Sequence, residues 1–358
     1  MISSPSIHPD STVPQAGATP ASNERALAAW LLVCCALLFA IIVVGGVTRL
    51  THSGLSITEW RPVTGTLPPL SHAAWADAFQ LYQSTPEYRY VNAGMTLAEF
   101  KSIYWWEYVH RLLGRAIGLA FLVPLLWFVA RRRVRASLVP TLFGIFALGG
   151  LQGAMGWYMV QSGLVNDPRV SQLRLTAHFG IALLILGALL WTALTLLYPE
   201  RARQGHHAPA LRRLAFGLWL LVFTMALSGA LVAGTHAGLV YNTFPLMNGH
   251  LVPPGLLAMQ PWFLNVFGNL ATVQFDHRVL AWLLIVLVPV FWWRSRVSAG
   301  LSGHARISAT ILLGMLGVQL VLGISTLLMV VPIGLAAAHQ AGAVLLFAAA
   351  ANAAHAHR

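Results

Sequence analysis

Eight apolar runs, each long enough to cross a bilayer, leave this chain little to fold into except a helical membrane protein. They cover roughly residues 27–47, 108–130, 138–161, 173–197, 213–235, 273–293, 307–330 and 333–354. A helix rises about 1.5 Å per residue, so about 20 apolar residues span the hydrocarbon core. Composition agrees: 57% of the 358 residues are apolar, 9% are charged, and the mean hydropathy is +0.69. Soluble domains carry about 25% charged residues. A cytosolic enzyme, a secreted mini-protein and a disordered chain are excluded.

The net charge is +12, but the cations cluster between the runs. Arg131, Arg132, Arg133 and Arg135 follow the second run, Arg201, Arg203, Arg212 and Arg213 separate the fourth and fifth, and Arg294, Arg296 and Arg306 separate the sixth and seventh. Cations so placed set orientation, which puts these connections and both termini in the cytoplasm. The long connections 48–107 and 236–272 then lie outside. The first carries Arg49, Arg61, Arg89 and Lys101, but long loops obey the rule weakly. The expected partner of this basic chain is the lipid bilayer; nucleic acid is not expected. Residues 1–24 are polar and rich in Pro, Ser and Ala, without a cleavable signal, and read as a disordered cytoplasmic tail. Cys34 and Cys35 are adjacent inside the first run and read as packing residues.

The chain repeats itself. Thr51-His52-Ser53-Gly54-Leu55 recurs as Thr235-His236-Ala237-Gly238-Leu239, and His110-Arg111 as His277-Arg278. Gln152 and Gly156 recur as Gln319 and Gly323, and His178 as His339. The separations between partners are 184, 167, 167 and 161 residues. Four matches in one order predict an all-α integral membrane fold of eight transmembrane helices. These form two pseudo-symmetric four-helix bundles, residues 25–200 and 201–358, related by an axis along the membrane normal.

Four histidines fall within the apolar runs: His110, His178, His277 and His339. All stand near the outer end of an even-numbered span, so each half holds two imidazoles at one depth. Ionisable groups inside a membrane are costly and usually functional. Zinc wants three or four protein ligands, with Cys or acid nearby. A four-helix bundle with one His above and one below suits a haem iron. Arg111 and Arg278 follow their histidines, and Arg115 and Arg174 lie one turn away. These four are candidates for pairing with propionates. Trp105, Trp106, Tyr108, Trp157 and Tyr158 read either as porphyrin contacts or as an interfacial belt. His52 and His236 read as loop hydrogen-bonders. The Gly- and Pro-containing outer loops are lids or structured connectors.

The halves differ three residues before the first His. Glu107 occupies that place in one half and Gln274 in the other. At i, i+3 this side chain shares the histidine's face. A carboxylate there takes a proton or stabilises developing positive charge; an amide does no acid–base work. The asymmetry predicts a reactive first half and an electron-holding second half.

These residues resemble a known family. The run Gly45-Gly46-Val47-Thr48-Arg49-Leu50-Thr51, continued by Ser53-Gly54-Leu55-Ser56, is similar to that of the haem A synthases. So are Glu107-Tyr108-Val109-His110-Arg111, Thr176-Ala177-His178, Asp276-His277-Arg278 and Ala338-His339-Gln340. The similarity extends from about residue 27 to 352. The resemblance implies oxidation of the C8 methyl of haem O to a formyl group, by two hydroxylations and loss of water, to supply haem A to terminal oxidases. It implies that His110 and His178 face the substrate iron, that His277 and His339 are the axial ligands of a haem b cofactor, and that Glu107 is catalytic. It further implies an inner (plasma) membrane location. Haem O synthase, oxidase assembly factors and a second copy of the chain are the further partners it suggests. The outer loops contain no cysteine, which resembles the branch shared by proteobacteria and mitochondria, and no thiol–disulfide step is expected. A dihaem electron carrier is the alternative reading, and it leaves Glu107 unexplained. A haem transporter is a third, and it fits poorly with histidines away from the midplane.

Overall fold

The structure, a computed structural model, describes residues 20–60, 64–164, 168–199 and 209–358. Its helices are α1 (Pro20–Leu50), α2 (His72–Gln83), α3 (Pro86–Tyr90), α4 (Leu97–Ala130), α5 (Val139–Leu164), α6 (Gln172–Leu197), α7 (Pro209–Thr235), α8 (Asn265–Gly268), α9 (Leu270–Val297), α10 (Gly303–Leu328) and α11 (Ile333–Ala356). Among the described residues, eight are long and apolar enough to cross a membrane: α1, α4, α5, α6, α7, α9, α10 and α11. They match the eight apolar runs in order. The chain is therefore a multi-pass helical membrane protein. Residues 1–19 of the expected tail, and Arg61, Pro62, Val63, Arg201 and Arg203, lie outside the described residues.

Within each half the helices close a ring. α1 packs on α4 and α6, and α5 packs on the same two; α7 packs on α9 and α11, and α10 packs on the same two. The halves meet where α6 touches α7 and α11, and where α1 touches α11. One continuous core runs through this seam and holds Leu183, Leu186 and Leu189 of α6, Leu218 and Val222 of α7 and Phe347 of α11. Gln340 crosses the seam, donating from Nε2 to the carbonyl of Ile42 at 2.7 Å. Arg49 crosses it too, donating from Nη2 to the carbonyl of Ala233 at 3.0 Å.

Several boundaries differ from the sequence reading. α1 starts at Pro20, so it takes in residues 20–24 that composition alone assigns to the tail. α4 starts at Leu97, well before residue 108. A capping box starts it: Thr96 Oγ1 accepts from Glu99 N at 3.3 Å while Glu99 accepts from Thr96 N at 2.8 Å. The apolar pattern hides these first turns because they carry Glu99, Lys101 and Glu107. They project beyond the bundle and pack Phe100, Tyr104 and Tyr108 against Trp75 and Tyr82 of α2. The first outer loop is thus a small helical cap with its own aromatic core. The turn from α10 to α11 uses Val330 and Val331 at φ 60° and 59°, and Gly334 lies inside α11. The long helices α10 and α11 also reach His304 and His355. These sit at the far end from the other four histidines, where His355 Nε2 is 3.2 Å from Thr195 Oγ1 and His304 Nε2 is 3.2 Å from Asn352 Oδ1.

Candidate functional site

Each of the four histidines is seated on a glycine of the neighbouring helix. A Cβ added at Gly45 of α1 would stand 2.7 Å from His110 Cε1, and one at Gly156 of α5 would stand 3.0 Å from His178 Cε1. In the second half, a Cβ at Gly229 of α7 would be 3.2 Å from His277 Cε1, and one at Gly323 of α10 would be 2.8 Å from His339 Cε1. At Gly45 and Gly323 an added Cβ would force the ring to shift, and at Gly156 and Gly229 the ring would have to give by a few tenths of an ångström. The sequence reading pairs Gly156 with Gly323 but misses Gly45 and Gly229, which stand in the same register as the two Thr-His motifs.

The rings of each pair lie within electrostatic reach of one another. His178, His277 and His339 stand about two turns into their helices, and His110 about four turns into α4, whose first turns project outward. The two rings of each half are thus brought together. Their ring nitrogens differ. Nδ1 of His110, His178 and His339 is buried without a hydrogen-bond partner. Nδ1 of His277 lies 2.8 Å from Ser228 Oγ. Ser228 Oγ also lies 2.8 Å from the carbonyl of Met225, the acceptor for its proton when His277 Nδ1 carries one of its own. The hydroxyl has one proton, so in that arrangement Ser228 accepts from His277 Nδ1–H and leaves Nε2 with its lone pair. In the register that pairs Gly45 with Gly229, the counterpart of Ser228 is Val44, which offers no such bond.

Above each pair, the outer loop is clamped by an equivalent arginine. Arg111 Nη2 donates to the carbonyl of Ile57 at 2.8 Å, and Arg278 Nη2 donates to that of Tyr241 at 2.8 Å. Ile57 and Tyr241 are counterparts in that same register. In the first half Glu107 completes the clamp. It is 3% exposed. Its Oε2 accepts from Ser56 Oγ and Ile57 N, each at 2.8 Å, and its Oε1 accepts from Arg111 Nε at 3.0 Å and Nη2 at 2.6 Å. In the second half Gln274 Nε2 donates to Tyr241 O at 3.3 Å. Gln274 Oε1 and Arg278 Nε are left buried and unpaired. One Glu-to-Gln difference separates a closed ion pair from a clamp with donor capacity to spare.

The remaining arginine candidates are placed differently. Arg174 donates from Nη1 to Tyr158 O at 2.8 Å and stacks 3.7 Å from the Tyr158 ring centroid. Arg115 lies one turn beyond Arg111 on α4. Among the aromatics, Tyr108 is buried in the cap and donates to Thr66 O at 2.7 Å, whereas Trp105, Trp106, Trp157 and Tyr158 are exposed. His52 and His236 end α1 and α7 in the left-handed conformation, at φ 51° and 59°. They act as helix terminators.

Among the described residues no group of three or more His, Cys, Asp or Glu side chains converges. Two facing imidazoles per bundle suit a macrocycle that brings its own four equatorial ligands. The orphaned Nδ1 atoms, the glycine seats and the Ser228–His277 contact fit a haem in each half.

Eight spanning helices packed as two sets of four, each set holding a pair of buried-nitrogen histidines, define a multi-pass membrane protein with two histidine-pair sites. The chain belongs to the family of cytochrome oxidase assembly proteins, which it matches over residues 28–351. It is 58% identical over 341 residues to the haem A synthase of Nitrosospira multiformis, covering 95% of this chain and 96% of that one. It is 53% identical to the haem A synthase of Nitrosomonas eutropha, covering 92% of each chain. The haem A synthase of Parvibaculum lavamentivorans is 51% identical, with 94% of this chain and 95% of that one covered.

Proposed function

We propose that this chain is a haem A synthase, which oxidises the C8 methyl of haem O to a formyl group to give haem A for terminal oxidases. The observation that carries this reading is the asymmetry between otherwise repeated sites. Both halves have histidines seated on glycine and an arginine-clamped loop; the first alone has a buried carboxylate. The names and identities of the relatives support it.

In this reading haem O enters the first half, facing His110 and His178, and haem b is held in the second by His277 and His339. Ser228 would orient the His277 ring toward a resident haem; the first half, with Val44 at that place, suits a group that exchanges. When bound, haem b supplies a one-electron redox centre. Glu107 stands one turn before His110 with its charge fixed by four hydrogen bonds. A carboxylate fixed in a dry site stabilises positive charge developing on the substrate without reorganising. Arg111 is the counter-charge that makes its burial tolerable. Arg278 also holds loop carbonyls, those of Tyr241, Pro245 and Leu246, but it keeps a buried Nε unpaired, which makes it a stronger propionate candidate than Arg111, whose Nε is spent on Glu107. Arg111 and Arg278 hold the first and second outer loops against α4 and α9, next to the histidine pairs.

The arginines after α4, at the start of α7 and around the α9–α10 connection support an inner-membrane orientation with both termini cytoplasmic and the haem level toward the outer face. The test is expression with a haem O synthase in a host lacking haem A, followed by extraction and chromatography of the bound haem. Haem A or its hydroxylated precursor beside haem b supports the reading. Haem b alone, with haem O present in the membrane, overturns it in favour of an electron carrier.

A further inference from the structure

The cap over the first bundle buries a second acid that the mechanism above leaves unused. Thr85 caps α3 and Pro86 opens it, which sets Glu87 in the first turn, where it is 4% exposed. Glu87 Oε2 accepts from the Tyr82 hydroxyl at 3.4 Å, and the Tyr82 oxygen accepts from Asn92 Nδ2 at 2.7 Å. Tyr82 is fully buried in the aromatic cluster that holds Tyr104 and Tyr108 of α4, the helix that carries Glu107. Asn92 is only partly buried, so the three polar side chains lead from that cluster to the outer surface.

The titratable groups that act on Glu87 are Tyr82 from α2 and Glu107 from α4. No ion pair to Glu87 is present among the described residues. Burial first, and then the Glu107 charge, push its carboxyl up to about 8. The two acids thus have opposite settings. Glu107 holds a charge against Arg111; Glu87 has no cation and stands where a neutral carboxylic acid is favoured. The second outer loop has neither setting: residues 236–275 contain no Asp or Glu.

We propose that Glu87 is the proton-exchanging acid of the first half, linking Glu107 to water at the outer surface beside Asn92. It acts through Glu107 and is a positioning residue, not one that touches substrate. The step moves a proton only. Glu87 as the acid gives its proton to outer water, and the resulting carboxylate takes the proton that substrate oxidation has left on Glu107, restoring the Glu107–Arg111 pair. No electron moves, and the reverse order delivers a proton inward. The inference rests on the haem A synthase reading, because only a reaction that changes the proton count at the substrate needs such a group.

The experiment compares wild type, Glu87→Gln and Glu87→Asp in membranes supplied with haem O. The readouts are haem A formation across pH 6–9, haem b content and the infrared band of protonated carboxyls. For Glu87→Gln, turnover falls by about 100-fold, haem b content is unchanged, the inflection of the wild-type profile near pH 8 disappears, and a carboxyl band titrating there is lost. Glu87→Asp restores most of the turnover and the inflection. Wild-type turnover with an unchanged profile in Glu87→Gln would overturn the proposal. Loss of haem b in both variants would overturn it too, assigning Glu87 a structural role. Failure of the haem A synthase reading would look different, since wild type itself would then make no haem A.

Discussion

Arg111 closes on Glu107 with two nitrogens one helical turn away, Nε at 3.0 Å and Nη2 at 2.6 Å from the same Oε1. The same guanidinium also holds the loop carbonyls of Ile57 and Glu59, at 2.8 and 3.0 Å. One side chain therefore fixes both the carboxylate and the lid above it. Arg278 has the loop part of this arrangement and lacks the acid.

Replacing Glu107 by Gln converts the first clamp into a copy of the second. The amide keeps the size of the side chain, so both histidine pairs should remain and haem binding should be nearly unchanged. The fixed charge is lost, and formyl product should fall by at least about 100-fold. Chromatography of extracted haem checks this. Normal haem A from Glu107→Gln would remove the asymmetry as an explanation of the chemistry.

The glycine seats make a half-specific prediction. Gly323→Val brings a branched side chain against His339 and should strip haem b while leaving the first bundle's geometry intact. Gly45→Val does the same to His110 and should abolish conversion while the haem b spectrum persists. Each substitution drives an imidazole from a close-packed position, an overpacking cost of about 1–3 kcal/mol. Absorption spectra of the two purified variants decide the matter: equal haem loss in both would mean that the seats serve general packing.

The spans, the repeat and the four histidines are legible because each rests on local pattern: apolar runs, a recurring register, an ionisable group where none is tolerated without a reason. Glu107 is legible because its counterpart is Gln274. What the pattern hides is contact between distant segments. Nothing local says that Arg111 spends its donors on Glu107 and on the loop carbonyls of Ile57 and Glu59, so its assignment to a propionate rests on adjacency to His110 alone. Gly45 and Gly229 are hidden because a glycine in a membrane helix has several uses; the shared register is the available signal. The cap is hidden because its aromatic core spans α2 and the charged first turns of α4, although Thr96 and Glu99 write its boundary in the sequence.

His236 supplies a pH prediction. Burial, and then Arg49, His52 and Arg169, hold its imidazole below the ordinary range. As pH falls through about 6.5 the unfolded chain takes up a proton that the folded chain resists. Stability should therefore be present at pH 7.5 and decline toward pH 5.5. His236→Asn, which tolerates the left-handed conformation, should flatten that decline. Thermal unfolding in detergent at the two pH values measures it; identical declines in both proteins would assign the effect to other groups.

The Ser228–His277 bond predicts a redox signature. With its one proton on Met225 O, Ser228 acts on His277 as an acceptor, which makes the imidazole a more basic ligand. A more basic ligand favours the ferric state. Ser228→Ala should leave haem b bound, because Gly229 and the opposite His339 still define the seat. It should raise the midpoint potential of the second-half haem by about 40 mV, the equivalent of one neutral hydrogen bond of about 1 kcal/mol for a one-electron couple. Val44→Ser would extend the test to the first half. It places a hydroxyl at the equivalent position beside His110 and should tighten retention of haem O, slowing turnover while haem b and its potential stay unchanged. Redox titration of the two variants separates these effects. An unshifted potential in Ser228→Ala would mean that the serine only fills space.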